Sequence, residues 1–196
     1  MRRRLMAGVA ALVLLAGCTT GATTEPEDNP ERQQAYQAAG IDPCPEAPPT
    51  AAVEGGLPEL TLQCLSTGSE STLSGLAKGR PMVINFWAQW CGPCRAEAPF
   101  LKSVSEKTAG RVNFLGIDTV DPQPDLAIEF ARVAGWTYPQ LTDPDKHSYG
   151  PPLNVPGLPH TIFVDAEGRI VGQHVGQIAS EEELDGYLRD LLGVDG

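Results

Sequence analysis

Positive charge is scarce in this chain. Of 196 residues, 14 are Lys or Arg against 25 Asp or Glu, a formal charge of −11. Arg2, Arg3 and Arg4 stand together at the start, and without them eleven basic residues face 25 acidic ones, a formal charge of −14. That balance argues against nucleic acid as a partner. Long apolar runs are also lacking. Leu5 to Ala16 is too short to span a bilayer comfortably. Histidine occurs three times, and a zinc site built on Cys91 and Cys94 would need two further ligands at suitable spacing. About 140 residues follow the N-terminal polar stretch, the size of one ordinary domain with a sizeable core.

The basic start and the apolar run together read as an address that is removed. Leu15-Ala16-Gly17-Cys18 resembles the lipobox of bacterial lipoproteins. The resemblance implies a lipoprotein signal peptide over residues 1–17 and lipidation of Cys18. The protein would then be extracytoplasmic and anchored to the cell membrane at its N-terminus, since two or three acyl chains hold far more firmly than one. The alternative is an ordinary secretory signal followed by a stray cysteine. Residues 18–56 are rich in Thr, Pro, Glu, Gln and Ala and poor in large apolar side chains. They cannot bury enough surface to fold alone and read as a tether reaching on the order of 30 Å, with room for a short helix at Glu31 to Ala39.

The globular part is expected over 57–196. Leu57 to Leu62 alternates as a strand, Ser66 to Ser71 reads as a turn, and Pro81 to Trp87 as a buried strand. Cys91 to about Thr108 follows as a helix, then Arg111 to Asp118 as a strand. Asp125 to Ala134 is a helix with Leu126, Ile128, Phe130 and Val133 as its apolar residues. Thr161 to Asp165 and Ile170 to Gln177 form a hairpin about Ala166-Glu167-Gly168-Arg169. Ser180 and Glu183 make a capping box for a last helix ending near Leu192. Strands alternating with helices imply an α/β sheet.

Cys91-Gly92-Pro93-Cys94 stands where a strand gives way to a helix. The first sulfur then lies at a helix N-terminus, beside unpaired N–H groups and the positive end of the dipole, which favours the thiolate. Thiolate is the nucleophile in disulfide exchange, so Cys91 reads as the attacking thiol and Cys94, one turn deeper, as the resolving one. A purely structural disulfide would not need Trp-Cys-Gly-Pro-Cys.

Asn85-Phe86-Trp87-Ala88-Gln89-Trp90-Cys91-Gly92-Pro93-Cys94 resembles the thioredoxin-superfamily active-site segment, and Arg95-Ala96-Glu97-Ala98-Pro99 narrows the likeness to the TlpA/ResA/DsbE-type branch. The likeness covers about Leu57 to Leu192. It implies a thioredoxin fold, a central mixed β-sheet flanked by helices. An αβ insertion is expected between the active-site half and the cis-proline half. Gly157-Leu158-Pro159 resembles the family's cis-proline loop, so that Leu158 and Pro159, with Trp90, Gly92 and Pro93, become substrate contacts. A common trans loop proline is the alternative. Where thioredoxin keeps a buried Asp the chain has Asn85, and an amide takes no proton at working pH. Glu97, where this branch carries an acid, is the expected proton acceptor for Cys94, against the alternative of a glutamate pointing outward on an exposed helix face. No cofactor and no metal are implied.

Cys44 and Cys64 are left over in an oxidising compartment and are economically paired as a structural disulfide, with a second redox pair as the sharper alternative. The resemblance implies enzymatic exchange with protein thiols and disulfides, leaning to a reductant role of the cytochrome c maturation kind, with a membrane electron-transfer protein as redox donor or acceptor. Rival readings are an oxidant of secreted thiols, which differs only in redox poise, and a copper chaperone using both thiolates with His160. His160 otherwise reads as a strand-edge surface residue. A peroxidase is disfavoured, since Ala88-Gln89-Trp90 precedes Cys91 in place of a Pro-x-x-x-Thr/Ser-x-x-Cys setting.

Overall fold

A computed structural model describes residues 29–76 and 79–196. The expected signal peptide of 1–17 and the expected lipidation of Cys18 fall outside the described residues. In chain order the elements are α1 (Pro30–Ala38), β1 (Thr61–Cys64), β2 (Glu70–Thr72), α2 (Leu73–Leu76), β3 (Met82–Trp87), α3 (Gly92–Lys107), β4 (Asn113–Thr119), α4 (Pro124–Ala134), β5 (Gln140–Asp143), β6 (His160–Val164), β7 (Ile170–Val175) and α5 (Glu181–Leu192). The strands form one mixed seven-stranded sheet in the order β2-β1-β5-β4-β3-β6-β7. β3 runs parallel to β4 and antiparallel to β6.

The sequence explains the centre of this sheet. Met82 to Trp87 is apolar at every position but Asn85 and is buried throughout, as a strand covered on both faces must be. One face packs Trp87, Leu101, Trp136 and Phe163 beneath the helices. The other packs Leu57, Leu73, Phe86 and Ile162. α4 and β5 are the αβ insertion, with β5 joining β4 in parallel and β1 antiparallel. The closing helix is capped by Ser180, whose hydroxyl accepts from the Glu183 amide at 3.2 Å.

Four local readings differ from the structure. Leu57 to Leu60 precedes the strand, which pairs only over Thr61–Cys64, and the expected turn region contains β2. In α4 the buried residues are Ala127, Ile128, Phe130 and Ala131, while Leu126 and Val133 are exposed. Small alanines let the helix axis approach the sheet, which turns the larger residues at the stripe's edge outward. His160 is not at a strand edge but wholly buried, on a strand flanked by β3 and β7.

The described part of the expected tether is docked, which corrects the coil reading for residues 29–56. Tyr36 is buried, and its hydroxyl accepts from the Gln140 amide at 2.9 Å and donates to the Asp42 carbonyl at 3.2 Å. The Thr72 amide donates to Ala47, and the Ser71 hydroxyl to Pro45, each at 2.8 Å. Cys44 and Cys64 are joined by a disulfide across a separation of 20 residues, a closure worth about 3 kcal/mol in loop entropy. Composition gives an average, whereas docking needs only a few anchors such as Tyr36 and Ile41, with backbone groups satisfied by the neighbouring sheet. Prolines prevent regular structure there without preventing attachment.

Candidate active site

β3 delivers the chain through Ala88, Gln89 and Trp90 to Cys91, which is the N-cap of α3. Pro93 sits in the first turn, where a missing N–H costs nothing and the ring's fixed φ suits the helix. The Cys94 amide donates to the Cys91 sulfur at 3.2 Å, so the helix N-terminus aims a donor at that sulfur, a setting that favours thiolate there. Cys91 and Cys94 are joined as a disulfide. Cys91 is 4% exposed and Cys94 0%, so of the two residues only Cys91 reaches the surface. Gly92 and Pro93 are exposed beside it.

The rim is apolar. Trp90 is 54% exposed, and its indole N–H donates to the Val120 carbonyl at 3.2 Å. Val120 itself holds a φ of 60°, strained for a β-branched residue. The peptide bond between Leu158 and Pro159 is cis. Leu158 packs against both cores, and the Pro159 carbonyl accepts from the Gly176 amide at 3.0 Å.

Behind the sulfurs lies a buried polar group. Glu97 follows Cys94 by three residues, hence on the same helix face, and is wholly buried. One carboxylate oxygen accepts from the Asn85 amide at 2.9 Å, the other from the Ile178 backbone N–H at 2.8 Å. Burial raises its pKa to about 7 against those two donors, with Glu183 raising it further. The exposed-face reading of Glu97 is therefore set aside. Asn85 also donates to the Thr161 hydroxyl at 3.2 Å.

His160 lies on the other side of the sheet. Thr161 faces Asn85 and Glu97, so its neighbour points oppositely, toward Phe86 at a ring-centroid distance of 6.0 Å. Burial pushes the imidazole pKa down, and neither ring nitrogen has a hydrogen-bond partner. The copper reading and a thiolate-stabilising role both needed this ring beside the sulfurs, and it is not there. Among the described residues no group of three His, Cys, Asp or Glu side chains could hold a metal.

Sequence reasoning missed a second buried acid. Asp118, on β4 opposite Trp87, is wholly buried with neither carboxylate oxygen hydrogen-bonded. Burial first, then the nearby Asp121 carboxylate, raise its pKa to about 8. Asp121 in turn accepts from the Gln89 amide at 3.1 Å, which ties this acidic corner to the segment entering Cys91. The available signal was an Asp closing the otherwise apolar run Phe114-Leu115-Gly116-Ile117.

Residues 52–190 match the Redoxin family. Among curated proteins, the chain is 33% identical over 137 residues to the thiol:disulfide interchange protein HelX of Rhodobacter capsulatus, spanning 70% of this chain and 76% of that one. It is 29% identical over 147 residues to the DsbE homolog of Paracoccus denitrificans, spanning 75% and 79%. The thiol-disulfide oxidoreductase ResA of Bacillus anthracis is 29% identical over 116 residues, 58% and 65% of the two chains. Among solved structures, a secreted Mycobacterium tuberculosis disulfide oxidoreductase homologous to E. coli DsbE superposes with a TM-score of 0.59 at 29% identity, covering 68% of this chain and 96% of that one. A DsbF homologue from Corynebacterium diphtheriae gives 0.62 at 27%, covering 69% and 86%. A disulfide-forming cysteine pair at a helix start, on a sheet shared with these proteins, accords with the match: the chain belongs to the redoxin family and is a thioredoxin-fold thiol:disulfide oxidoreductase of the DsbE/ResA type.

Proposed function

We propose that the protein works outside the cytoplasm, held to the membrane through lipid on Cys18, as a reductant of disulfides in partner proteins, in the manner of cytochrome c maturation. The lipobox-like start supports the location, as does the likeness to the secreted Mycobacterium tuberculosis disulfide oxidoreductase. The observation that carries the direction is the setting of the sulfurs. Gly92 and Pro93 bring no imidazole or cation to Cys91, and buried Glu97 places a carboxylate behind Cys94. The helix terminus is then the feature favouring thiolate at Cys91, without a further cationic stabiliser from the intervening dipeptide, and a less stabilised dithiol is the better electron donor.

In the working cycle, the Cys91 thiolate attacks a partner disulfide, forming a mixed disulfide and releasing one partner thiolate. The Cys94 thiol gives its proton to Glu97. The resulting thiolate attacks the Cys91 sulfur, the Cys91–Cys94 bond forms, and the second partner sulfur leaves with the electron pair. A membrane electron-transfer protein bearing a dithiol restores the reduced state.

Equilibrating the full chain in dithiothreitol or glutathione buffers, read by Trp fluorescence, measures the potential of the pair. A value near about −270 mV is expected, whereas one near about −120 mV would make the protein an oxidant of secreted thiols. The role of Glu97 is tested separately. As the proton acceptor it works ionised, so the rate of partner reduction should rise as pH passes through about 7. Glu97→Gln should remove that rise and slow the reaction by about ten- to a hundredfold above it. An unchanged pH profile rejects the assignment.

A further inference from the structure

The hydrogen bonds around Glu97 are arranged for its ionised state. Both carboxylate oxygens face donors, Asn85 on one and the Ile178 backbone N–H on the other. Once Glu97 has taken the Cys94 proton, an O–H pointing at an N–H is a donor against a donor, in a site with no water-exposed surface. The Ile178 N–H is backbone and can only donate. The Asn85 side chain can do either, because its two ends are nearly isosteric and a half-turn of the amide exchanges NH2 for C=O. As it stands, Asn85 uses its NH2 twice, toward Glu97 and toward the Thr161 hydroxyl, while its own carbonyl oxygen is buried with no partner. Thr161 is equally reversible, since a hydroxyl both donates and accepts.

We propose that Asn85 is a positioning residue that follows the proton on Glu97 by turning its amide, with NH2 toward the carboxylate and C=O toward the protonated acid. The proton then sits on the oxygen facing Asn85, the Ile178 bond is kept, and the turned carbonyl accepts from both the Glu97 O–H and the Thr161 hydroxyl. Reversal returns the amide when Glu97 releases the proton. The strand register provides for this, as Asn85 lies between Thr161 on β6 and Gly116 on β4. Gly116 adds no side chain of its own, and the Gln140 amide fills the space above it. The other titratable groups felt at this site are Glu183 from α5 and the Tyr138 hydroxyl ahead of β5, with Cys94 one turn away on α3. Neither Glu183 nor Tyr138 is hydrogen-bonded to Glu97, which leaves Asn85 as the side chain that answers its proton.

This rests on Glu97 as the proton acceptor, but it can be followed without turnover. In the oxidised full chain, NMR contacts of the Asn85 side-chain NH2 protons should run to Glu97 and Thr161 at pH 9 and be lost at pH 5. Their midpoint should coincide with the Glu97 titration, and Glu97→Gln should abolish the change. Contacts that stay the same from pH 5 to 9, or that still change in Glu97→Gln, would overturn the proposal. In kinetics, Asn85→Leu should move the rising limb of partner reduction up by about one pH unit, a roughly tenfold loss at pH 7 that is recovered by pH 9. A limb left in place would also overturn it. If the amide turns while Glu97→Gln leaves the rate profile unchanged, the Glu97 role in turnover fails and the turning amide stands.

Discussion

Replacing Cys94 with serine is expected to arrest the protein as a covalent adduct, with a partner's cysteine held on Cys91. Cys91 is the residue of the pair that reaches the surface, and its sulfur receives a helix-terminal N–H, so attack proceeds in the variant. The second step is lost, because serine cannot displace a sulfur at working pH, and no further thiol is within the site. Turnover should fall by at least about a thousandfold, and the adduct should be visible on a non-reducing gel and by mass spectrometry. Cys91→Ser should lose turnover as completely and show no adduct, since Cys94 is wholly enclosed. Equal trapping by both variants would mean that the two sulfurs are interchangeable and that the exposure difference does not set the order of attack.

The second large effect concerns stability. Neither Asp118 oxygen receives an N–H or hydroxyl hydrogen bond among the described residues, and burial, with the Asp121 carboxylate beside it, raises its pKa to about 8. An acid whose folded pKa lies above its unfolded one holds its proton in the native state after the unfolded chain has released it. Its stabilising contribution is therefore fully present below about pH 4 and is lost as pH rises toward 8. Asp118→Asn removes the titration and nearly preserves the shape. The variant should be more stable than the parent above pH 8, by up to about 5 kcal/mol, and the gap should close toward pH 4. Denaturant unfolding across that range measures the difference. A gap independent of pH would show that the carboxylate ionises within the fold without cost, through a partner not present among the described contacts.

Glu97 and its partners show which contacts local pattern fixes and which it does not. Cys91, Cys94 and Glu97 are spaced along one helix, so their mutual placement follows from helix geometry alone. Asn85, Thr161 and the Ile178 amide come from β3, β6 and the segment before α5. Only strand register brings them to Glu97, and nothing in their local patterns announces it. His160 shows the same limit in reverse. It stands next to Pro159 in sequence, yet strand alternation sends its ring to the opposite face. The docked segment around Tyr36 escapes a composition argument because low apolar content describes an average, whereas one buried tyrosine, a disulfide and a few hydrogen bonds to the sheet hold it.

The amino-acid sequence by itself determined the fold class, the run of strands and helices around the cysteines, and the place of the cysteine pair at a helix start. Each of these depends on neighbours within a turn or a strand, where periodicity and capping chemistry act directly. The tertiary structure alone decided which buried groups share the space behind the sulfurs, that residues 29–56 dock onto the domain, and that Asp118 is held without a partner. Those outcomes depend on the pairing of distant segments and on the loss of water between them, and both arise only when the sheet closes.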